Sequence, residues 1–382
     1  MPLTLDFRRI NDLADVATYL GSESSLIERL LASSADPDLE PALYERHKIP
    51  KKRTPGKHRL VWAVTTREAR DVHTTFARRF RDFTEMYIPN FPSESAFGYV
   101  RGRGIKENAS KHCGSPWIFR CDIQEFFPSI RRTAIQNDLL RWGLSQDAAV
   151  ILSTLSTIED RLALGLNASP LLANLHCIDL DSRLEKISID NKCVYTRYAD
   201  DITISGHDLP SASAILDVIR DQGFEVSHKK VRTTKPGQYH LVTGLSVSDP
   251  SGPRLPKPFK ASLRQELHFC KKFGLREHFQ RLTEAYQTGV NRLDGTVRYA
   301  AHIEEQFGRK IRSQWRDILV ADSASTSYSP LKSRPRARAY LYFDESTFKV
   351  FGEQVHALVC ISTENAALLR AYSDAVIYSY LR

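Results

Sequence analysis

Apolar positions recur along the chain in two rhythms, and the switches between them mark out the elements. Ala69, Val72, Phe76, Phe80 and Phe83 fall at steps of three and four, which predicts a helix with one buried stripe. Arg70, Arg78, Arg79 and Arg81 lie beside that stripe and read equally as a solvated face or as a basic surface. Trp117 to Ile123 has strand character and carries Asp122 near its end. Ser169-Pro170 has the chemistry of an N-cap followed by a first-turn proline, and the helix it opens runs through Leu172, Leu175 and Leu184. Just before it, Gly165 supplies a flexible or close-approach position. Val194-Tyr195-Thr196 and Ile202-Thr203-Ile204 flank Ala199-Asp200-Asp201, which predicts a hairpin with two carboxylates at its tip.

A helix from about Ser211 to Gly223, the basic segment His228-Lys229-Lys230 and a strand around Leu241 to Val247 follow. From Pro258 to about Leu319 the pattern is wholly helical, with Leu263, Leu267, Cys270 and Phe273 as the apolar stripe beside Lys260, Arg264, Lys271 and Lys272. Strand, helix, strand pair, helix, strand is the order of an α+β domain with helices on one face of a small sheet. Residues 1–45 read as an N-terminal helical segment, 46–250 as the mixed domain, 251–320 as a helical lobe, 321–338 as a Ser-, Pro- and Arg-rich linker, and 339–382 as a short extension of unknown role. Near the start of the mixed domain lies an exposed basic loop, Lys51 to Lys57.

Charge narrows the picture. Lys and Arg outnumber Asp and Glu by 54 to 45 in 382 residues, a balance that suits a polyanionic partner. The six cysteines form no CxxC pair and no zinc-ligand spacing, as in a reduced, cytoplasmic protein. The first twenty residues contain Asp6, Asp12 and Asp15 and lack an apolar h-region. No apolar run reaches the roughly 18 residues of a membrane span. The expectation is therefore a cytoplasmic protein with no membrane partner.

The chemistry rests on Asp122, Asp200 and Asp201. Two-metal nucleotidyl transfer places divalent ions about 3.5–4 Å apart around the reacting phosphate, and Mg²⁺ takes oxygen ligands. A strand-end aspartate and a hairpin tip with two more supply them if the strands lie side by side. An Asp-Asp pair by itself is most often a solvated turn.

In context these residues resemble the reverse transcriptases, and among them the bacterial retron type. Phe119 to Ser129, with Asp122, Phe126, Phe127 and Pro128, is similar to motif A. Gly165 to Leu175, with Ser169-Pro170 and Ala173-Asn174-Leu175, is similar to motif B, and Tyr198-Ala199-Asp200-Asp201 to motif C. Gly223-Phe224 with Lys230 resembles motif D. Asn108-Ala109-Ser110-Lys111-His112 and Val242-Thr243-Gly244 resemble two elements of the retron type. The ordered match covers roughly residues 45 to 310. Two departures fall in motif B, where Leu164 stands for the usual Gln and Asn167-Ala168 for Pro-Thr; the first bears on nucleotide contacts and fidelity.

The resemblance implies a right-hand polymerase fold, with fingers and palm over 46–250 and a thumb over 251–320. It implies two Mg²⁺ ions, or Mn²⁺, on Asp122, Asp200 and Asp201. Arg59 would hold the incoming triphosphate, Phe127 would lie under the sugar and exclude a 2′-hydroxyl, Gly165 would approach the nucleotide, and Lys230 would serve the leaving pyrophosphate. Arg59 also reads as a surface arginine and Phe127 as a core residue. Asn108, His112, Lys260 and Arg264 would meet RNA or template. Implied partners are deoxynucleotides, a structured non-coding RNA serving as template and primer, its branched multicopy single-stranded DNA product, and an effector protein in anti-phage defence. A group II intron-like or diversity-generating reverse transcriptase is an alternative, against which the Asn108–His112 and Val242–Gly244 elements speak. A catalytically weak RNA-binding scaffold is another, and the retained aspartates speak against it. Tyr342-Phe343-Asp344-Glu345-Ser346 resembles the opening strand of an RNase H-like nuclease, but the 44 residues from 339 onward are too few to close that core.

Overall fold

A computed structural model describes residues 7–50, 56 and 58–325 of the chain. The basic loop 51–57, apart from Gly56, and the whole extension 339–382 lie outside the described residues. The chain divides into two units, one of Met1–Val100 with Pro116–Pro236 and the other of Arg101–Ser115 with Gly237–Arg382.

The first unit is α+β. Its centre is a four-stranded sheet in which β3 (Trp117–Asp122), β4 (Val194–Tyr198), β5 (Asp201–Gly206) and β6 (Arg232–Thr234) lie in the order β4-β5-β3-β6, every neighbouring pair antiparallel. A separate hairpin is formed by β1 (Tyr44–Pro50) and β2 (His58–Val64), paired from Tyr44 opposite Val64 to Pro50 opposite His58. Helices cover the sheet because their stripes require it. In Arg67–Tyr87 the Thr66 hydroxyl caps the start by accepting from the Ala69 N–H at 3.3 Å. Ala69, Val72, Phe76, Phe80 and Phe83 are all buried, each large one contributing about 1.5–3 kcal/mol by leaving water. Their rings run as a ladder, Phe76 to Phe80 at 5.7 Å and Phe80 to Phe83 at 5.9 Å between centroids. The expected N-terminal helices are present as Leu13–Leu20 and Ser24–Ala35. Val16, Leu20, Ile27 and Leu30 join the same core as the sheet.

Three local expectations change. Ser169 is the first helical residue and Ala168 the cap, and the Ser169 hydroxyl donates to the Ala163 carbonyl at 2.6 Å. The helix it opens stops at His176 and a second one, Ile178–Asp190, starts after Cys177. The third change is at the C-terminal side, where the last helix, Glu305–Ser325, runs past position 321 into the expected linker.

In the second unit, Lys257–Phe273, Leu275–Arg281, Tyr286–Ile303 and Glu305–Ser325 are helical, close to the predicted helical stretch. Residues 101–115, placed by sequence in the mixed domain, cluster with these helices, as do residues from Gly237 onward. The link is made of hydrogen bonds: Gly114 N–H donates to the Val247 carbonyl at 2.9 Å, and the Thr243 hydroxyl to the Ile105 carbonyl at 3.0 Å. Four of the five described cysteines are buried and all five are free thiols. Among the described residues no helix is long and apolar enough to cross a membrane.

Candidate active site

Two strands and one turn deliver the carboxylates. Side chains alternate along β3, so Ile118, Arg120 and Asp122 share one face and Phe119 and Cys121 the other. The register of β5 sets Asp201 opposite Asp122 and Thr203 opposite Arg120. Directly opposed residues project from the same face, so the two aspartates stand side by side. Tyr198 pairs with Asp201, leaving Ala199 and Asp200 as a two-residue connection. Ala199 holds a φ of 57°, the left-handed conformation that glycine adopts most readily. The segment through Gly98 closes on this turn so tightly that a Cβ at Gly98 would collide with the Ala199 nitrogen. On the far side, the Ile123 N–H donates to the Asp200 carbonyl at 2.9 Å, tying the tip to the end of β3.

The site concentrates negative charge and compensates it only in part. Asp122 and Asp201 side chains are 20% and 23% exposed. Arg120 Nη2 donates to Asp201 Oδ2 at 2.7 Å, and Lys230 Nζ donates to Asp122 Oδ2 at 2.6 Å. Burial, followed by the neighbouring Asp122 charge, pushes the Asp200 carboxyl up to about 6. Burial also raises Asp201, against the opposing pull of Arg120.

A divalent cation fits such a site. Among the described residues no group of three or more His, Cys, Asp or Glu side chains is placed to hold a metal ion. Magnesium needs none, because it uses one or two carboxylates and completes its shell with water and substrate phosphates. Asp122 and Asp200 provide hard oxygen donors whose repulsion a cation relieves. One oxygen of Asp201 is already engaged by Arg120.

The other expected residues divide into two groups. Lys230 is brought to Asp122 as stated. Phe127 lies close by in the chain, 6% exposed, with the Tyr99 ring edge-on at 5.7 Å and the Phe126 ring at 5.4 Å. Both phenylalanines are therefore packed. Gly165 makes a close backbone approach: its φ is 116° and a Cβ there would strike the Trp62 carbonyl, while the Trp62 N–H donates to the Leu164 carbonyl at 2.8 Å. Arg59 sits in β2 opposite Ile49, on the separate hairpin beside the loop 51–57. Asn108, His112, Lys260 and Arg264 belong to the second unit. Asn108 and His112 are 1% and 0% exposed, so their side chains form part of the unit's interior. Lys260 Nζ donates to both Glu304 oxygens at 3.1 Å. Arg264 is exposed and stands 5.0 Å from the Phe307 ring centre.

Sequence reasoning gave no role to Arg120, Asn174, Asp181 or Arg197, although Asn174 falls within the stretch similar to motif B. The first had a signal: two residues before Asp122 on a strand means the same face. The other three are joined by contacts distant in sequence.

With this geometry in view, the chain was compared with known proteins. The family model for reverse transcriptase (RNA-dependent DNA polymerase) matches residues 49–247. The retron Mx65 reverse transcriptase of Myxococcus xanthus is 30% identical over 198 residues, covering 46% of this chain and 46% of that protein. The retron Ec86 reverse transcriptase of Escherichia coli is 26% identical over 224 residues, covering 57% of this chain and 70% of that protein. The chain spans about half the length of the Myxococcus relatives it matches. Among solved structures, a telomerase from Candida tropicalis in complex with a telomeric RNA fragment aligns with a TM-score of 0.40 and 10% identity, covering 73% of this chain and 57% of that one.

Proposed function

Because the chain belongs to the reverse transcriptase family, and its matched relatives are retron enzymes, we propose that it is an RNA-directed DNA polymerase of retron type working at Asp122 and Asp200. The observation that carries this reading is the register that sets Asp122 beside Asp201 at the end of β3, with Asp200 on the adjoining turn. Two magnesium ions, or manganese, would be held by Asp122 and Asp200; when bound they supply Lewis acidity at the reacting phosphate. Asp201, paired with Arg120, supports the site from the neighbouring strand. Lys230 carries an exposed ammonium at the site and serves the leaving pyrophosphate.

Phe127, backed by Tyr99, forms an aromatic floor that excludes a 2′-hydroxyl and so selects deoxynucleotides. Gly165 lets the backbone before Ser169 approach the nucleotide, and Arg59 on its hairpin binds the triphosphate. Arg264 on its exposed helix face meets nucleic acid phosphates. Lys260, whose charge is compensated by Glu304, would meet the template only by exchanging that partner for a phosphate. Asn108 and His112 are buried in the 101–115 segment of the second unit, whose Ile105 carbonyl accepts from the Thr243 hydroxyl, and would act on template RNA through that segment. The template and primer is a structured non-coding RNA, the product a branched multicopy single-stranded DNA, and the setting cytoplasmic anti-phage defence with an effector protein.

The test is DNA synthesis by the purified full chain on a primed RNA template with Mg²⁺ and deoxynucleotides. Synthesis that disappears in Asp200→Asn, with RNA binding retained, is the expected result; synthesis that survives the substitution removes the assignment. Expression with the upstream intergenic region should yield an RNase-resistant single-stranded DNA with a branch at its 5′ end. An active polymerase that makes no such DNA belongs to another reverse transcriptase group.

A further inference from the structure

Beneath the carboxylate turn, on the opposite face of the sheet, Arg197 is completely buried. Its Nε and Nη2 donate to the two Asp181 oxygens at 2.7 Å each, and the Tyr195 hydroxyl donates to the same carboxylate at 2.7 Å. That fork leaves Nη1 directed elsewhere. It reaches the Asn174 side-chain oxygen at 3.1 Å and the Ala199 carbonyl at 3.3 Å. Asn174, 3% exposed, donates from Nδ2 to the Gly98 carbonyl at 3.0 Å, and Gly98 is the residue pressed against the Ala199 nitrogen. The Ala199 peptide is therefore gripped at its carbonyl by Arg197 and at its nitrogen by a segment that Asn174 holds in place.

A buried ion pair is a poor route to stability, since desolvation opposes its attraction and apolar residues of equal volume often do as well. What this network supplies is geometry. Ala199 carries the left-handed φ of 57° that costs an L-residue about 1–2 kcal/mol. The next residue is Asp200. We propose that Arg197 and Asn174 are positioning residues that clamp Ala199 in this conformation and so hold Asp200 where it shares a divalent cation with Asp122. The inference rests on the metal-binding reading of Asp122 and Asp200.

Arg197→Met leaves Asp181 buried and unpaired, so the informative variant is Asn174→Ala, which keeps the Arg197–Asp181 pair. The measurement is a Mn²⁺ titration of the full chain, without nucleic acid, followed by electron paramagnetic resonance. Asn174→Ala should weaken Mn²⁺ binding about tenfold, as loss of a residue that orients a metal ligand does. Adding Ala199→Gly should restore most of it, because glycine takes the left-handed conformation unaided. Wild-type affinity in a folded Asn174→Ala chain overturns the clamp, and so does a loss that Ala199→Gly leaves untouched. If Asn174→Ala loses its circular dichroism signature, Arg197→Lys, which keeps the charge against Asp181 and shortens the reach to Ala199, carries the same two outcomes. Asp200→Asn separates the layers of the argument. If it binds Mn²⁺ like the wild type, the metal site itself is misplaced; if it abolishes binding while the clamp variants do not, only the clamp falls.

Discussion

On one face of the four-stranded sheet, Asp122 and Asp201 are about one-fifth exposed and each takes a single ion-pair partner, Lys230 and Arg120. On the other face, Asp181 is 1% exposed and receives three hydrogen bonds, two from Arg197 and one from Tyr195. The open arrangement lies on β3 and β5, while the covered one joins Arg197 and Tyr195 of β4 to Asp181 of the helix Ile178–Asp190. The open face leaves charge under-compensated: Asp200 is raised to about 6 by burial and by Asp122, which on the proposed reading a bound cation would relieve. On the covered face Arg197 and Asp181 neutralise each other. Reactivity and rigidity are thus separated across one sheet thickness, and the Ala199 carbonyl is where they meet.

The largest effect expected is on synthesis. A lost metal ligand forfeits several kcal/mol of charge stabilisation, and about 4 kcal/mol corresponds to roughly a thousandfold in rate. Asp122→Asn and Asp200→Asn should each cause that loss in primer extension. In chelator, the melting temperature of Asp200→Asn should hold or rise, because a carboxyl whose folded pKa is raised disfavours folding once ionised, as it is at pH 7. A fall in melting temperature would place Asp200 among the structural charges of the other face.

Removing a charge from the covered face should act in the opposite sense. Arg197→Met strands Asp181 in the interior and should cost about 3–5 kcal/mol in chemical denaturation. A loss under 1 kcal/mol would mean that the buried pair is dispensable and the contrast between the faces superficial.

Another buried polar contact of the first unit sharpens the comparison through pH. Tyr44 Oη lies 3.0 Å from His73 Nε2, and burial pushes the His73 imidazole down to about 4. The unfolded imidazole titrates near 6.5, so between these values the unfolded chain binds the extra proton. Stability is then fully present above about 6.5 and falls as pH drops toward 4. This group should remove about 2 kcal/mol between pH 7 and pH 5. His73→Gln should flatten that part of the profile in denaturation at the two pH values; an unchanged slope would assign it to other groups.

What could be read in the sequence follows the range of the physics involved. The Asp200 hairpin was legible because strand alternation and turn chemistry act over a few residues, and Asp122 because it ends a β-rich run. The amphipathic helix at Arg67–Tyr87 was legible for the same reason, its apolar steps of three and four being local. The network of Arg197, Asp181 and Asn174 was not, although Asn174 falls in motif B, since its contacts span 16 and 23 positions and follow no period. Residues 101–115 gave no sign of leaving the mixed domain, because hydrogen bonds to positions near 243–247 bring them to the helical unit. Ser169 misled in a similar way. Its type and its neighbour Pro170 suit a cap, but its hydroxyl donates to the nearby Ala163 carbonyl instead.

The smallest effect expected tests the comparison most directly. Arg120 and Arg197 are both sheet arginines paired to an aspartate at 2.7 Å, so distance alone predicts equal losses on substitution. Their surroundings predict otherwise. The Arg120–Asp201 pair is 32% and 23% exposed, solvent screens its attraction, and such partly exposed pairs contribute at most about 1 kcal/mol. Arg120→Met should therefore cost about 1 kcal/mol or less, against the several expected for Arg197→Met, when the two are unfolded side by side in guanidinium. Equal losses would show that Arg120 is a structural charge like Arg197, and the open face would then have to be redrawn around Asp122, Asp200 and Lys230 alone.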